Sequence, residues 1–141
     1  MRRVAVYCGS SESNRESYRL GAARVGELLA TRGIEVVYGG GNCGLMGIVA
    51  DAALSSGGRV TGVIPTRLVG HEVAHAGLSE LIVVDSMHAR KTVMSGLSDA
   101  FFVLPGGFGT LDELFEATTW TQLGYHQKPV GLLDIDGYFE P

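Results

Sequence analysis

The sequence has 141 residues, enough for one globular domain, and 45% of them are hydrophobic, which suffices for a sizeable core. The net charge of -4 at pH 7 excludes a general nucleic-acid or membrane-surface binder, since both need a strong basic field. With two cysteines, no signal-peptide pattern and no apolar run near the ~18 residues of a membrane span, we expect a cytoplasmic protein that binds neither nucleic acid nor membrane.

Short apolar runs rich in β-branched residues predict six β-strands, at residues 4–8, 34–38, 59–64, 81–85, 100–104 and 130–134. Between the first strands, apolar side chains recur at helical spacing from Tyr18 to Leu29 and from Leu45 to Ala53. Crossovers of this length predict a parallel sheet that is covered on both faces. The fold class is therefore α/β, a Rossmann-like doubly wound parallel sheet, with residues 1–141 as a single domain.

Glycines stand just past several predicted strands, at the sheet edge where such folds bind ligands. Residues 39–44 match the dinucleotide spacing G-x-G-x-x-G, but they follow the second strand rather than the first. Arg59, rather than an acid that could hold a ribose, stands twenty residues after Gly39. We therefore favour a tight turn that feeds a helix over a dinucleotide site.

Residues 105–113 follow the fifth predicted strand and have the features of a phosphate-binding loop. Glycines let the turn adopt left-handed backbone angles and aim several N–H groups at one point, and the helix behind adds a positive dipole end. Thr110 and Glu113 also have the T-x-x-E spacing of a capping box. Glu116, one turn further, places a second carboxylate on nearly the same helix face. Glu113 is thus either a helix cap or an acid beside a bound anion.

The segment from His71 to His75 satisfies the zinc-protease pattern H-E-x-x-H, with Glu72 as its acid. That chemistry needs both histidines on one face of a stable helix and a third protein ligand. The segment lies between Gly70 and Gly77, which leaves barely two turns. We favour a mobile loop over the strand ends and predict no metal site.

Residues 87–91, with the sequence Met-His-Ala-Arg-Lys, begin the helix after the fourth strand and bring two cations to the same sheet edge. An exposed basic turn is the simpler interpretation. The position at the sheet edge favours a functional interpretation, since an arginine guanidinium and a lysine ammonium group complement a phosphate and any negative charge that develops beside it. A phosphate loop, Arg90, Lys91 and an adjacent glutamate suit cleavage of an N-glycosidic bond, whose transition state resembles an oxocarbenium ion.

On these motifs the chain resembles the Lonely Guy family, cytokinin-activating nucleoside 5'-monophosphate phosphoribohydrolases, many of which carry an old "lysine decarboxylase" label. The resemblance rests on residues 8–11, 38–41, 44–47, 87–91 and 105–113. It implies a nucleotide-binding domain that converts N6-modified adenosine 5'-monophosphates to free base and ribose 5-phosphate, in cytokinin activation or nucleotide salvage. It also implies no metal or organic cofactor, and a homodimer with the site near the interface. A non-catalytic carrier of a nucleotide or phosphorylated cofactor is the alternative, because the same loop would bind without cleaving.

The resemblance also implies a role for individual residues. Arg90 and Glu113 match the catalytic pair. Two departures stand out: Ala89 replaces a glutamate that many members carry, and the family's C-terminal portion is missing, so we expect a chain that is truncated at its C-terminus. Positions near the substrate are matched by Glu72, Met87, Lys91, Gly106, Gly107, Gly109, Thr110, Glu116 and Thr119.

Overall fold

The structure is a computed structural model that describes residues 1–9, 15–69, 74–105 and 128–133. Strands and helices alternate along these ranges, with a short 3-10 helix at Thr66–Leu68. All six predicted strands lie within two residues of observed ones, and the three predicted helices that fall in these ranges are present, whereas the helix predicted behind the phosphate loop lies outside them. The elements are β1 (Arg3–Tyr7), α1 (Glu16–Thr31), β2 (Glu35–Tyr38), α2 (Gly44–Ser55), β3 (Val60–Pro65), β4 (Glu80–Val84), α3 (Met87–Leu97), β5 (Ala100–Val103) and β6 (Val130–Leu132).

The strands form one parallel sheet in the order β4-β3-β2-β1-β5-β6. The chain moves outward from β1 to β4 and then returns to β5 on the other side of β1. This reversal creates a topological switch point between β1 and β5, where doubly wound sheets bind their ligands. The predicted Rossmann-like doubly wound fold is confirmed.

Backbone hydrogen bonds join the loops at the switch point. The N–H of Gly9, after β1, donates to the carbonyl of Pro105 at 3.1 Å, and the N–H of Met46 in α2 donates to the carbonyl of Gly9 at 3.2 Å. The start of the predicted phosphate loop is therefore anchored beside the end of β1.

Both faces of the sheet are buried along its four central strands, as a parallel sheet requires, while the outermost strands β4 and β6 are partly exposed. Helices α1 and α2 cover one face, while α3 packs on the other through Met94. No helix in the described ranges has the length and apolar character needed to cross a bilayer. Alternate strand residues face the two layers: Val4, Val6, Val36, Tyr38 and Val60 on the first, and Ala5, Tyr7, Val37, Val63 and Phe101 on the second.

Charged groups fasten the opposite edge, where the strands begin. Glu35 pairs with Arg3 at 2.5 Å and with Arg59 at 2.6 Å, which ties the first three strands together. Asp99, before β5, accepts hydrogen bonds from the backbone N–H groups of Arg3 and Arg2 at 3.0 and 2.7 Å. These hydrogen bonds hold the pKa of Asp99 below its ordinary value of 3.8, and the bond from Arg3 has the larger effect.

Candidate functional site

Arg90 lies at the carboxyl edge of the sheet and is 2% exposed. It belongs to the first turns of α3, which begins directly after β4 because Ser86 caps it: the Ser86 hydroxyl accepts a hydrogen bond from the Ala89 N–H at 3.0 Å. The cap determines where α3 begins. Because Arg90 is in the first turns of this helix, the cap also determines that its side chain lies near the strand ends.

The guanidinium of Arg90 joins two strands where their ladder ends. Tyr38 is the last β2 residue in register with β3, opposite Gly62, so Gly39 and Val63 come next along the two strands. Arg90 Nε donates to the carbonyl of Val63 at 2.9 Å, and Nη2 donates to the carbonyl of Gly39 at 2.5 Å. The arginine thus satisfies carbonyl groups at the point where the strands separate.

The Nη1 atom of Arg90 lies 3.7 Å from Met87 Sδ, a weak acceptor. Arginine stays protonated in proteins, so the group that these acceptors hold carries a positive charge. The hydrogen bonds fix the guanidinium in place, so its charge is already oriented before any ligand arrives. Such a fixed charge attracts an anion, or negative charge that develops in a reaction, at this edge of the sheet.

Residues 39–41, which we call the glycine turn, connect β2 to the approach of α2. Gly40 has a φ of +79°, a conformation that glycine adopts at little cost. The turn is held from several sides, because each of its three carbonyl groups accepts a hydrogen bond: Gly39 O from Arg90 Nη2, Gly40 O from the N–H of His75 at 3.0 Å, and Gly41 O from Tyr38 Oη at 2.8 Å.

Gly39 has no side chain because Arg90 occupies the space. A Cβ at this position would lie 3.0 Å from Arg90 Cζ and 2.9 Å from Met46 Cε, and it would overlap Arg90 Nη2. The tight turn into a helix predicted for residues 39–44 is present. Close approach of the arginine accounts for its first glycine and the left-handed φ for its second.

The H-E-x-x-H segment is described only at its end. Ala74 forms an isolated antiparallel bridge with Gly41, which holds it against the glycine turn, while the rest of the loop predicted there lies outside the described residues. His75 Nε2 lies 2.6 Å from Asp51 Oδ1, and its Nδ1 accepts a hydrogen bond from the Gly77 N–H at 2.9 Å. Both ring nitrogens are bonded to protein atoms, so a metal would have to displace one of these partners. In the described ranges, no three potential metal ligands cluster together.

Three of the predicted site residues, all on α3, fall within the described ranges. Met87 and Lys91 are half-buried, while Arg90 is buried. Successive helical residues point about 100° apart, so Arg90 and Lys91 leave α3 in different directions. The other predicted site residues lie outside the described ranges: Glu72, Gly106, Gly107, Gly109, Thr110, Glu113, Glu116 and Thr119.

The sequence did not predict the contacts around Arg90. Gly39 and Val63 contribute main-chain carbonyl groups, which carry no signal in residue type, and Tyr38 was assigned to a strand and to the family motif at residues 38–41 without a contact to the turn. His75 was considered only as a metal ligand, and Asp51 was not singled out. Their contacts connect distant parts of the chain and depend on the fold.

Comparison with known proteins agrees with this architecture. The profile of a protein family described as "Possible lysine decarboxylase" matches residues 46–141. The chain belongs to this family. The resemblance to the Lonely Guy proteins is also confirmed by relatives from Oryza sativa subsp. japonica: the probable cytokinin riboside 5'-monophosphate phosphoribohydrolase LOGL9, 54% identical over 139 residues, and the cytokinin riboside 5'-monophosphate phosphoribohydrolase LOG, 50% identical over 140.

These two alignments each include 99% of this chain but only 61% and 58% of the relatives, so the chain spans about three fifths of the length of the curated family members it matches. Among solved structures, the molybdenum cofactor binding protein of the phototrophic bacterium Rippkaea orientalis is similar, with a TM-score of 0.77 and 27% identity. That likeness covers 93% of this chain and 75% of the other. The family's sheet is thus shared by proteins whose names describe different activities.

Proposed function

We propose that this protein hydrolyses the N-glycosidic bond of nucleoside 5'-monophosphates, including N6-modified adenosine 5'-monophosphates, to free base and ribose 5-phosphate. The observation that carries the proposal is the buried, carbonyl-bound Arg90 at the carboxyl edge, where doubly wound sheets bind nucleotides. Relatives about half identical to this chain bear the name cytokinin riboside 5'-monophosphate phosphoribohydrolase, which supports the same reaction.

In the proposed reaction, water attacks C1′ of the ribose while the bond from C1′ to the base nitrogen breaks. The water's hydroxyl ends on C1′ and its proton on the departing base. Glu113 would orient the water and stabilise the oxocarbenium-like transition state, as carboxylates do in glycosidases. Arg90 would stabilise the negative charge that develops on the leaving base, and its fixed position means that it need not reorganise during the reaction.

The 5'-phosphate would bind away from the reacting carbon, at Gly106, Gly107, Gly109 and Thr110, with Lys91 nearby. Phosphate binding would orient the ribose and so contribute to catalysis without touching the bond that breaks. We further propose that residues 1–141 form one nucleotide-binding domain, and that the protein acts in the cytoplasm as a homodimer with Glu72, Glu116 and Thr119 near the substrate. The support for these assignments is the family resemblance.

The residues do not fit the decarboxylase chemistry that the family description suggests. Pyridoxal phosphate enzymes hold their cofactor through a Schiff-base lysine, and this sequence has two lysines, Lys91 and Lys128. Lys128 Nζ donates to the carbonyl of Ser95 at 2.5 Å, near the end of α3, where a cation stabilises the helix dipole. Lys91 directly follows Arg90, a placement that suits a phosphate contact.

Incubation of the purified protein with AMP, N6-isopentenyl AMP and adenosine tests the proposal. Chromatography should detect equal amounts of free base and ribose 5-phosphate from both monophosphates. Adenosine should react at least ~100-fold more slowly, because it lacks the phosphate that orients the ribose. Binding of AMP without release of base would refute hydrolysis, and equal rates for AMP and adenosine would refute the role of the phosphate.

A carrier of a nucleotide or phosphorylated cofactor is the second candidate, favoured by the similarity to the molybdenum cofactor binding protein. The same charged edge would bind such a ligand without cleaving it. Mass spectrometry of the protein as purified distinguishes the two functions. An intact ligand bound in stoichiometric amount, together with no turnover of AMP, would favour the carrier.

A further inference from the structure

We propose that His75 is a positioning residue for Arg90, which acts through the glycine turn and is itself held by Asp51. The proposal rests on the proposed hydrolysis, in which Arg90 contacts the substrate. Its basis is a chain of described contacts that runs from α2 through His75 and the turn to the guanidinium.

The first step is the contact between His75 and the glycine turn. The N–H of His75 donates to the carbonyl of Gly40 at 3.0 Å, and the preceding residue, Ala74, forms the bridge with Gly41. Gly39, which directly precedes Gly40 in the turn, has the carbonyl group that accepts the hydrogen bond from Arg90 Nη2. A shift of the turn would therefore move one of the two carbonyl groups that orient the guanidinium.

The second step is the imidazole ring, which fixes the backbone of His75. The Gly77 N–H donates to Nδ1, so Nδ1 carries a lone pair and Nε2 carries the proton. That proton is donated to Asp51 Oδ1 at 2.6 Å, and the His75 side chain is only 10% exposed. The imidazole ring of His75 thus attaches the segment that contains Ala74 and His75 to α2, while the backbone of His75 attaches the same segment to the glycine turn.

The third step is that the glycine turn has one support inside the core and another at the protein surface. Tyr38 Oη holds the carbonyl of Gly41 and is itself fully buried within the core. Asp51, in contrast, lies on the outer side of α2 with 65% of its side chain exposed. Removing the Asp51 carboxylate therefore weakens the support for the turn without opening a cavity in the core, which makes the inference testable in a folded protein.

The test compares His75→Ala, Asp51→Ala and the double variant with the wild-type protein. The control is Glu27→Ala, which removes another exposed helical carboxylate, one that pairs with Arg24 at 3.3 Å on α1. Two quantities are measured: kcat and KM for AMP, and, by NMR, the hydrogen-exchange rate of the Arg90 Nη2 protons, which donate to Gly39 O. The second readout reports on Arg90 directly and needs no catalysis.

We expect each single variant to lower kcat about tenfold with little change in KM, and to speed exchange at Arg90 Nη2 about tenfold, the effect of losing one hydrogen bond. The double variant should be no worse than either single one, since both residues act through one contact. His75→Gln, which keeps a donor for Asp51, should restore part of the protection, and Glu27→Ala should match the wild type.

Unchanged exchange at Arg90 in both single variants would overturn the positioning role, as would a loss of kcat that leaves this exchange at the wild-type rate. If the wild-type protein released no base from AMP, the proposed function would fail. Faster exchange at Arg90 in both variants would then still support the positioning by His75, so the two failures are distinguishable.

Discussion

Replacing Gly39 by alanine tests whether the glycine turn is built to admit the guanidinium of Arg90. The added methyl carbon would lie 3.0 Å from Arg90 Cζ and 2.9 Å from Met46 Cε, and it would overlap Arg90 Nη2. Gly39 is not among the described glycines with a positive φ, so alanine does not strain the backbone there. The substitution therefore acts on Arg90, whose guanidinium has to move to make room for the methyl group.

The cost follows from the contacts that the movement breaks. A hydrogen bond from a charged donor, here the bond to Gly39 O, contributes about 1.5–3 kcal/mol. Overpacking adds about 1–3 kcal/mol, and because the displaced side chain relieves part of the overlap, the two contributions are not additive. We expect the free energy of unfolding to fall by about 3 kcal/mol, or roughly 10 °C in Tm for a chain of this size. Turnover of AMP should fall about 100-fold with the loss of the fixed charge.

Urea and thermal unfolding, together with the rate of base release, measure both effects. The matched control is Gly96→Ala in α3, where an added Cβ has no atom of the described residues within 4 Å apart from its chain neighbours and its own helix backbone. That variant should be as active as the wild type and up to about 1 kcal/mol more stable, since alanine favours a helix. If Gly39→Ala proved as stable and active as Gly96→Ala, the packing of Arg90 against the turn would be the wrong explanation.

Two further substitutions test the supports of the fold. Ser86→Ala removes the cap that bonds the Ala89 N–H and should lower the free energy of unfolding by about 1 kcal/mol, measured in urea; an unchanged midpoint would contradict the cap. Asp99→Asn loses the charge that the N–H groups of Arg3 and Arg2 favour. Because the folded-state pKa of Asp99 is lowered, its contribution is complete above the ordinary value of 3.8 and is lost as pH falls through the folded pKa. The wild type should therefore exceed Asp99→Asn in stability at pH 7 and lose this advantage in acid, whereas a difference that stays constant down to pH 3 would refute the assignment.

The sheet was predictable because its signal is local. A parallel strand that is buried on both faces must be mostly apolar, so runs such as residues 60–65 appear directly in the sequence. Helix α3 was predictable for a related reason, since residues 87–91 directly follow the fourth predicted strand. Together these local signals are enough to place Arg90 at the correct edge of the sheet.

The environment of Arg90 was not predictable, because its partners lie far away in the chain. Arg90 was expected beside a phosphate loop, yet the structure also gives it a structural task, bonding Gly39 and Val63. Main-chain acceptors depend on where two strands separate, which residue types do not encode. His75 shows a second limit of prediction from the sequence. Its spacing from His71 matches a metal-ligand pattern, whereas its ring forms hydrogen bonds with Asp51 and Gly77.

The central claim is that the carbonyl-bound guanidinium of Arg90 acts on the N-glycosidic bond of a nucleoside 5'-monophosphate. The most direct test is the rate of base release from AMP by the wild type and by Arg90→Lys, which keeps the charge but loses the planar fork. We expect base and ribose 5-phosphate from the wild type, and a kcat at least ~100-fold lower for a folded Arg90→Lys. Equal turnover by the two proteins, or no base release by the wild type, would contradict the claim.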